Sequence, residues 1–280
     1  MKVAYYPGCV AKGACKELDL SVRLVLERLG IGVTELDTAS CCGAGVMNEV
    51  KPKLNHVLNA RTFSMAEKLN LDLMTICSTC YGRFKSSNQY IKQNLDAINK
   101  EIKKIKTSYN GNVKVKHFVE VLNDYGLDEL NKKVKKPLRT LKPAVVYGCH
   151  LLRPHAVENN IMENVCKSLH SKPINFESKG RCCGFPILMT NRKTSLKLAG
   201  KVLTDAIDNG ANCLVVSCPL CHMNYDSLQP EVEKVLGRKI KLPVLHLSQL
   251  IGLALGLTME ELGMDKHIVD CDKVYHLVHL

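Results

Sequence analysis

Ten of the fourteen cysteines of this 280-residue chain fall into two sets with one shared spacing. Each set has a single cysteine, then an adjacent pair, then a Cys-x-x-Cys. The sets are Cys9, Cys41, Cys42, Cys77 and Cys80, and Cys149, Cys182, Cys183, Cys218 and Cys221. The intervals within the two sets agree to within a single position, which indicates an internal duplication.

Five thiolates per half are a ligand set for a soft metal. Sulfur ligands select zinc, copper(I) or iron–sulfur clusters. Structural zinc takes four ligands and would leave one cysteine of each set unused. Adjacent cysteines cannot easily point at one small ion but can reach different irons of a cluster, and Gly43, Gly45 and Gly184 allow the backbone to approach it. We therefore expect an iron–sulfur cluster in each half, with zinc as the alternative.

The stretch SCPLCH at 217–222 also contains Cys-x-x-Cys-His, the attachment motif of c-type haem. The equivalent stretch of the first half, CSTCY at 77–81, has no histidine. The shared feature is the cysteines alone, so we do not expect haem. His222 remains a candidate group beside the metal site.

Composition narrows the class of protein. The chain is 46% hydrophobic and 24% charged, and no apolar run approaches the roughly 18 residues of a membrane span, so we expect no span. The N-terminus lacks a signal-peptide pattern, which predicts a cytoplasmic protein whose reduced thiols serve metal or redox chemistry. The net charge of +12 suits an anionic substrate or partner. With aromatic residues at only 5% and no nucleic-acid motif, we expect no nucleic acid.

Hydrophobic patterning predicts an α/β fold. Short apolar runs at 3–6, 73–76, 144–147 and 214–216 read as buried parallel strands, and 18–29, 53–69, 156–169 and 195–209 read as amphipathic helices. We expect two pseudo-symmetric domains, 1–137 and 138–280, each a small parallel sheet flanked by helices. Each strand ends at or just before a motif cysteine, so the metal sites should lie at the strand C-terminal ends. The basic stretch 131–137 reads as the linker, and the lysine-rich stretch 103–112 as a surface loop.

The doubled pattern resembles the CCG cysteine-rich domain proteins, and in particular the B subunit of heterodisulfide reductase. The residues that carry this resemblance are CSTCYG at 77–82, GCHLLRP at 148–154, CCGFP at 182–186 and the tail between 242 and 270. The resemblance covers nearly the whole chain. It implies that each five-cysteine set binds one noncubane [4Fe-4S] cluster and that the two clusters face each other across a pseudo-twofold interface.

The resemblance further implies reduction of the mixed disulfide of coenzyme M and coenzyme B to two thiols. Breaking a disulfide takes two electrons, whereas iron–sulfur clusters deliver them singly, so two motifs suit one such bond. We see no flavin or dinucleotide fingerprint, so electrons must come from another chain. The implied donors are the small ferredoxin-like C subunit of heterodisulfide reductase and, upstream, its flavin-containing A subunit.

Candidate proton donors to the departing thiolates are His150, His155 and His222, which lie near motif cysteines. Basic residues near the cysteines are candidate anion contacts: Arg153, Lys179 and Arg181. The cysteines outside the repeat read as ordinary buried or free thiols: Cys15, Cys166, Cys213 and Cys271.

Two alternative functions remain open. One is a CCG subunit of another oxidoreductase, such as a thiol-dependent fumarate reductase, a succinate dehydrogenase anchor or a glycolate or lactate oxidation complex. The other is a zinc-stabilised assembly protein without catalysis, in which the fifth cysteine of each set is dispensable.

Overall fold

The computed structural model describes residues 1–279, which form an α/β fold with two parallel sheets. The strands are β1 (Lys2–Tyr6), β2 (Gly32–Glu35), β3 (Leu73–Thr75), β4 (Val115–His117), β5 (Pro143–Val146), β6 (Cys213–Val216) and β7 (Val244–His246). The helices of the first half are α1 (Cys9–Lys12), α2 (Lys16–Leu29), α3 (Val46–Val50), α4 (Pro52–Lys68), α5 (Ser78–Gln93), α6 (Leu95–Ile102), α7 (Phe118–Tyr125) and α8 (Leu127–Lys132). Those of the second half are α9 (Cys149–Leu152), α10 (Ile161–Ser168), α11 (Arg192–Asp208), α12 (Pro219–Tyr225), α13 (Gln229–Leu236), α14 (Leu247–Ala254) and α15 (Asp272–Val278). Short 3₁₀ turns occupy Lys103–Ile105, Glu177–Gly180, Phe185–Ile187 and Met264–Lys266.

The two sheets repeat one strand order. The first runs β2-β1-β3-β4 and the second β5-β6-β7, and every pair is parallel. The position of β2 is reduced in the second half to a single parallel bridge between Ala144 and Ile174. Because Ile174 follows Val33 by the same interval that separates Cys182 from Cys41, this bridge is what remains of a fourth strand.

The structure confirms the predicted fold class. The four apolar runs form β1, β3, β5 and β6, and their residues are almost entirely buried, as parallel strands covered by helices on both faces require. Three predicted helices correspond to α2, α4 and α11. The fourth was predicted to begin at Ala156, but α10 begins at Ile161, since Asn160 has left-handed backbone geometry just before it. The strands β2, β4 and β7 were not predicted, because three or four residues are too few to show a clear periodicity.

The two halves are joined by a reciprocal pair of hydrogen bonds. His117, at the end of β4, donates from Nε2 to the carbonyl of Ser217, at 3.0 Å. His246, at the end of β7, donates from Nε2 to the carbonyl of Ile76, at 3.4 Å. Each histidine also accepts a backbone N–H at Nδ1 and so caps the helix that follows it. Both imidazoles are completely buried, and burial lowers the pKa of each to about 4, so both stay neutral.

Helix packing completes the contact between the halves. Helix α14 packs on α2, where the hydroxyls of Ser21 and Ser248 lie 2.6 Å apart, and α9 packs on α5. Gly82 of α5 lies directly against α9, where an added Cβ would lie 2.9 Å from the Cβ of His150. Glycine at this position therefore allows the strand ends of the two halves to meet. Among residues 1–279, we find no helix of the length and apolar character that crossing a bilayer requires.

Candidate metal centre

The fold places six of the motif cysteines at helix starts, whereas the adjacent pairs Cys41-Cys42 and Cys182-Cys183 lie in loops. Cys9 and Cys149 open α1 and α9, directly after glycines with φ of +88° and +73°. The positive φ favours glycine at both positions, and each glycine lies beside a motif sulfur, since a Cβ on Gly8 would lie 3.5 Å from Cys80 Sγ and one on Gly148 3.6 Å from Cys221 Sγ. Cys77 and Cys218 stand at the N-caps of α5 and α12, and the second cysteine of each Cys-x-x-Cys lies in the first turn.

The sulfurs of each set follow one another in the same order. In the first set, the side-chain contacts run from Cys9 to Cys41, Cys42, Cys80 and Cys77. In the second set they run from Cys149 to Cys182, Cys183, Cys221 and Cys218. The two series meet across the pseudo-twofold axis, where Cys77 Sγ and Cys218 Sγ are 3.6 Å apart. The duplication therefore brings all ten cysteines into one continuous cluster of thiols.

The first cysteine of each adjacent pair is a more acidic thiol than the second. Hydrogen bonds from the Cys42 and Cys9 thiols and from the Gly43 backbone N–H lower the pKa of Cys41 to about 2. Hydrogen bonds from Cys149, Cys183 and the Gly184 N–H lower the pKa of Cys182 to about 2 in the same way. Since the thiolate is the metal-binding form, these two residues are prepared to act as ligands.

Each complete set lines its own cavity. A cavity of about 240 Å³ is lined by all five cysteines of the first set. A larger one of about 490 Å³ is lined by all five cysteines of the second set. The two cavities share a wall made of Ala44, Thr79, Phe185 and Leu220. They therefore adjoin at the interface between the halves, where one small molecule can reach both cysteine sets.

An asparagine holds the loop of each adjacent pair. In the first half, the side-chain amides of Asn55 and Asn59 donate to the carbonyl of Cys42, at 2.8 and 3.3 Å. In the second half, Asn224 donates to the carbonyl of Cys183, at 2.6 Å. These amides come from different helices: α4 in the first half and α12 in the second. Because α4 supplies the asparagines of the first half, α5 does not need one at the position equivalent to Asn224. That position of α5 carries Arg83 instead.

Arg83 is the basic residue that sequence reasoning missed. Among the described residues it is the only lysine or arginine lining either cysteine cavity. It donates to Asn48 Oδ1, and its Nε is buried without a hydrogen-bond partner in residues 1–279. Burial lowers the pKa of its guanidinium, which nevertheless stays charged at neutral pH. Comparing the halves would have exposed it, since residue 83 aligns with Asn224.

The hydroxyl of Tyr225 fits an iron–sulfur cluster whose sulfur atoms can accept a hydrogen bond. Tyr225 is completely buried near four cysteines of the second set, and its hydroxyl has no partner within residues 1–279. An unpartnered buried hydroxyl is costly unless an acceptor is supplied. A thiolate- or sulfide-rich group beside it is such an acceptor. The first half has Phe84 at the equivalent position, so this hydroxyl belongs to one site alone.

The predicted histidines are placed differently from one another. His150 lines the second cavity. His155 lies outside the cavity lining, with Nε2 3.1 Å from the Ser86 hydroxyl. His222 is buried behind Cys221 and packs against His267, with ring centroids 4.7 Å apart. The structure therefore places His150 in the lining of the second cavity, with His155 and His222 outside that lining. All three remain predictions as proton donors.

The predicted anion contacts are engaged elsewhere. Lys179 pairs with Glu163, at 3.3 Å, and Arg181 with Glu177, at 2.5 Å. Arg153 is exposed and donates to the carbonyl of Gly180. The four cysteines outside the repeat are all buried, as expected of core thiols.

A parallel-sheet fold that occurs twice, with five cysteines at the strand ends of each copy, defines a duplicated cysteine-rich α/β protein. The model of the CCG cysteine-rich domain family matches residues 3–85 and again 144–226, and the chain belongs to this family. The matched segments contain all ten motif cysteines.

Full-length relatives are subunits of reductases. The chain is 37% identical to the 8-methylmenaquinol:fumarate reductase membrane anchor subunit of Wolinella succinogenes, over 97% of this chain and 98% of that protein. It is 30% identical to the B subunit of the ferredoxin/F420H2-dependent CoB-CoM heterodisulfide reductase of Methanosarcina acetivorans, over 96% of this chain and 94% of that protein. The resemblance to the heterodisulfide reductase B subunit, seen in the sequence, is thereby confirmed.

A solved structure shares the fold. It is the crystal structure of a hypothetical protein from Helicobacter pylori, which superposes with a TM-score of 0.80 at 18% identity. The match covers 96% of this chain and 52% of that one, so the present chain spans about half of that protein's length. At this identity the likeness concerns the fold alone.

Proposed function

We propose that this chain is the iron–sulfur subunit of an oxidoreductase complex and reduces an anionic disulfide between its two cysteine sets. The observation that carries the proposal is that two complete five-cysteine cavities adjoin, with Cys77 Sγ and Cys218 Sγ only 3.6 Å apart. A substrate in the shared space is within reach of both sets.

In this proposal each five-cysteine set holds one noncubane [4Fe-4S] cluster. The first set would use Cys9, Cys41, Cys42, Cys77 and Cys80, and the second Cys149, Cys182, Cys183, Cys218 and Cys221. Bound there, the clusters supply one-electron transfer. The fit rests on the soft sulfur donors, the acidic thiols of Cys41 and Cys182, and the unpartnered hydroxyl of Tyr225.

The chain's own residues would bind and orient the substrate. Arg83 presents a fixed positive charge to the second cavity and is suited to a sulfonate, phosphate or carboxylate group. Phe185 and Leu220 line both cavities and provide an apolar surface between them. Reduction of a disulfide consumes two electrons and two protons and yields two thiols. His150 lines the same cavity and is placed to supply a proton there.

The mixed disulfide of coenzyme M and coenzyme B carries anionic groups of this kind, and we propose it as the substrate by analogy with the Methanosarcina relative named for its reduction. A ferredoxin-like C subunit and a flavin-containing A subunit would then supply the electrons, in the cytoplasm. The domain boundary at 137/138 belongs to the same proposal, since it gives each cluster one complete cysteine set.

A second candidate function is favoured by the comparisons. The relative named as a fumarate reductase subunit is 37% identical over nearly the full length, against 30% for the heterodisulfide reductase subunit. In that case the chain would pass electrons to a fumarate-reducing partner. Its cysteine sets and clusters would be as proposed above, and the disulfide substrate would be absent.

The test begins with the metal content of anaerobically purified protein. Two [4Fe-4S] clusters require about eight iron and about eight acid-labile sulfide per chain. Cys41→Ala and Cys182→Ala should each lose about half of the iron, whereas the matched control Cys166→Ala, a buried cysteine outside the repeat, should retain it. Zinc without sulfide, kept in both variants, would instead establish a zinc-stabilised assembly protein.

A second experiment identifies the substrate, using the same protein preparation combined with its partner subunits. Turnover of an anionic disulfide by the reduced complex, together with a new electron paramagnetic resonance signal when the thiol product is added to oxidised protein, would support disulfide reduction. Fumarate reduction without disulfide turnover would favour the second candidate.

A further inference from the structure

A group of metal-binding side chains lies outside the ten motif cysteines, where the two halves meet. We propose that Cys15, Glu17 and His222 bind a zinc-like divalent cation. One ligand atom of each residue lies within 4.8 Å of the others. Thiolate sulfur, carboxylate oxygen and imidazole nitrogen are the donors that zinc uses in proteins. Zinc–ligand bonds of about 2.0–2.3 Å would require the three atoms to move together by only about 1 Å.

The imidazole of His222 lacks the partner that a buried ring requires. The residue is 2% exposed, and its Nε2 has no hydrogen-bond partner within residues 1–279. A buried nitrogen in this state destabilises the fold unless a partner is supplied. Cys15 is also 2% exposed and caps α2 without a side-chain hydrogen bond. A bound cation would satisfy both side chains.

The polar groups around the proposed site already have hydrogen-bond partners, so they are not needed as metal ligands. His267 packs edge-on against His222, but its Nε2 lies 2.8 Å from the Gln249 amide and its Nδ1 3.4 Å from Cys271 Sγ. Asp226, one turn after His222, accepts the backbone N–H groups of Ile268 and Val269. These residues surround the site, and the Nε2 of His222 is the nitrogen that is left to bind a metal ion.

Charge and access also suit a dication. A Cys15 thiolate and the Glu17 carboxylate carry two negative charges, which neutralise one divalent ion when His222 binds as neutral imidazole. Glu17 is partly exposed, so the ion can enter from its side, and a water molecule would complete a tetrahedral set. Gly263 packs closely over Glu17, since an added Cβ would lie 2.6 Å from the Glu17 Cβ.

The ion would tie the two halves together. Cys15 and Glu17 belong to the start of α2, and His222 belongs to α12, directly after the cluster candidate Cys221. A metal bridge here would hold the second cysteine set against the first half. The site therefore has a structural role, independent of electron transfer and of the identity of the substrate.

The experiment measures zinc, iron and sulfide together on anaerobically purified full-length protein, for the wild type, Cys15→Ser, Glu17→Gln and the control Cys166→Ser. We expect Cys15→Ser to lose about one zinc per chain with iron and sulfide unchanged, Glu17→Gln to bind zinc at least tenfold more weakly, and Cys166→Ser to match the wild type. Zinc content equal in Cys15→Ser and the wild type would overturn the proposal.

Cobalt provides a readout that does not depend on the stability of a variant. Cobalt(II) added to protein stripped of zinc by a mild chelator should produce a thiolate-to-cobalt absorption band that Cys15→Ser lacks. Absence of that band in the wild type would refute the site. If the motif cysteines held zinc instead of clusters, total zinc would be higher and sulfide absent, while the difference between wild type and Cys15→Ser would still be one zinc.

Discussion

The loop of the first cysteine pair depends on Gly43, and adding one methyl group there should dislodge it. Gly43 has a φ of +75°, and an added Cβ would lie 1.9 Å from the side-chain nitrogen of Asn55. Left-handed geometry costs an alanine about 1–2 kcal/mol. Moving Asn55 weakens its hydrogen bond to the Cys42 carbonyl, which adds about 1–3 kcal/mol. Gly43→Ala should therefore cost about 2–5 kcal/mol in total.

Gly30→Ala is the matched control. Gly30 has a φ of +72°, and no atom of residues 1–279 lies within 4 Å of an added Cβ, so alanine there meets the backbone cost alone. Thermal unfolding followed by circular dichroism should show Gly43→Ala several degrees less stable than Gly30→Ala, since 1 kcal/mol shifts the Tm of a protein of this size by roughly 2–4 °C. Iron analysis should show that Gly43→Ala alone loses iron, up to about half.

A double variant tests the cause. Asn55→Ala removes the amide that the new methyl group meets, so adding Gly43→Ala in that background should cost clearly less than in the wild type. If Gly43→Ala matches Gly30→Ala in both Tm and iron content, the close approach of Gly43 and Asn55 does not position the Cys41-Cys42 loop, and the reasoning fails.

Three further predictions concern the interface and the second cavity. Burial lowers the pKa values of His117 and His246 from 6.5 to about 4. Their contribution to the free energy of unfolding is therefore complete above pH 6.5 and is lost as the pH falls towards 4, by about 3 kcal/mol for each histidine. Urea unfolding at pH 7 and pH 4.5 should show a smaller loss of stability for His117→Asn than for the wild type. Arg83→Gln should raise the KM for an anionic substrate about 10- to 100-fold with a smaller change in kcat, and an unchanged KM in steady-state assays would exclude it as the anion contact. Tyr225→Phe should lower the reduction potential of one cluster in a redox titration, because it removes the buried hydroxyl that is placed to donate to that cluster. An unaltered potential would show that the hydroxyl does not donate to it.

Much of the fold was predictable, because the duplication repeats the hydrophobic pattern of the main strands and helices in both halves of the chain. The strands β1, β3, β5 and β6 are continuous apolar runs, and each leads directly to a motif cysteine. The strands β4 and β7 were missed, although the stretches that begin with their last residues, HFVEVL at 117–122 and HLSQLI at 246–251, repeat in the sequence. What that repeat does is visible only in three dimensions, where each histidine caps a helix and bonds to the opposite half.

The sequence alone determined the cysteine sets, their pairing by duplication and the parallel-sheet class, because spacing and hydrophobic period are local properties of the chain. Tertiary structure decided which side chains meet across the interface. It brings Cys77 beside Cys218, aims Arg83 at the second cavity, and places Cys15 next to His222, although these two residues belong to opposite halves of the chain. The physical reason is that the packing of one half on the other is set by many weak contacts between distant residues, and no local pattern records them.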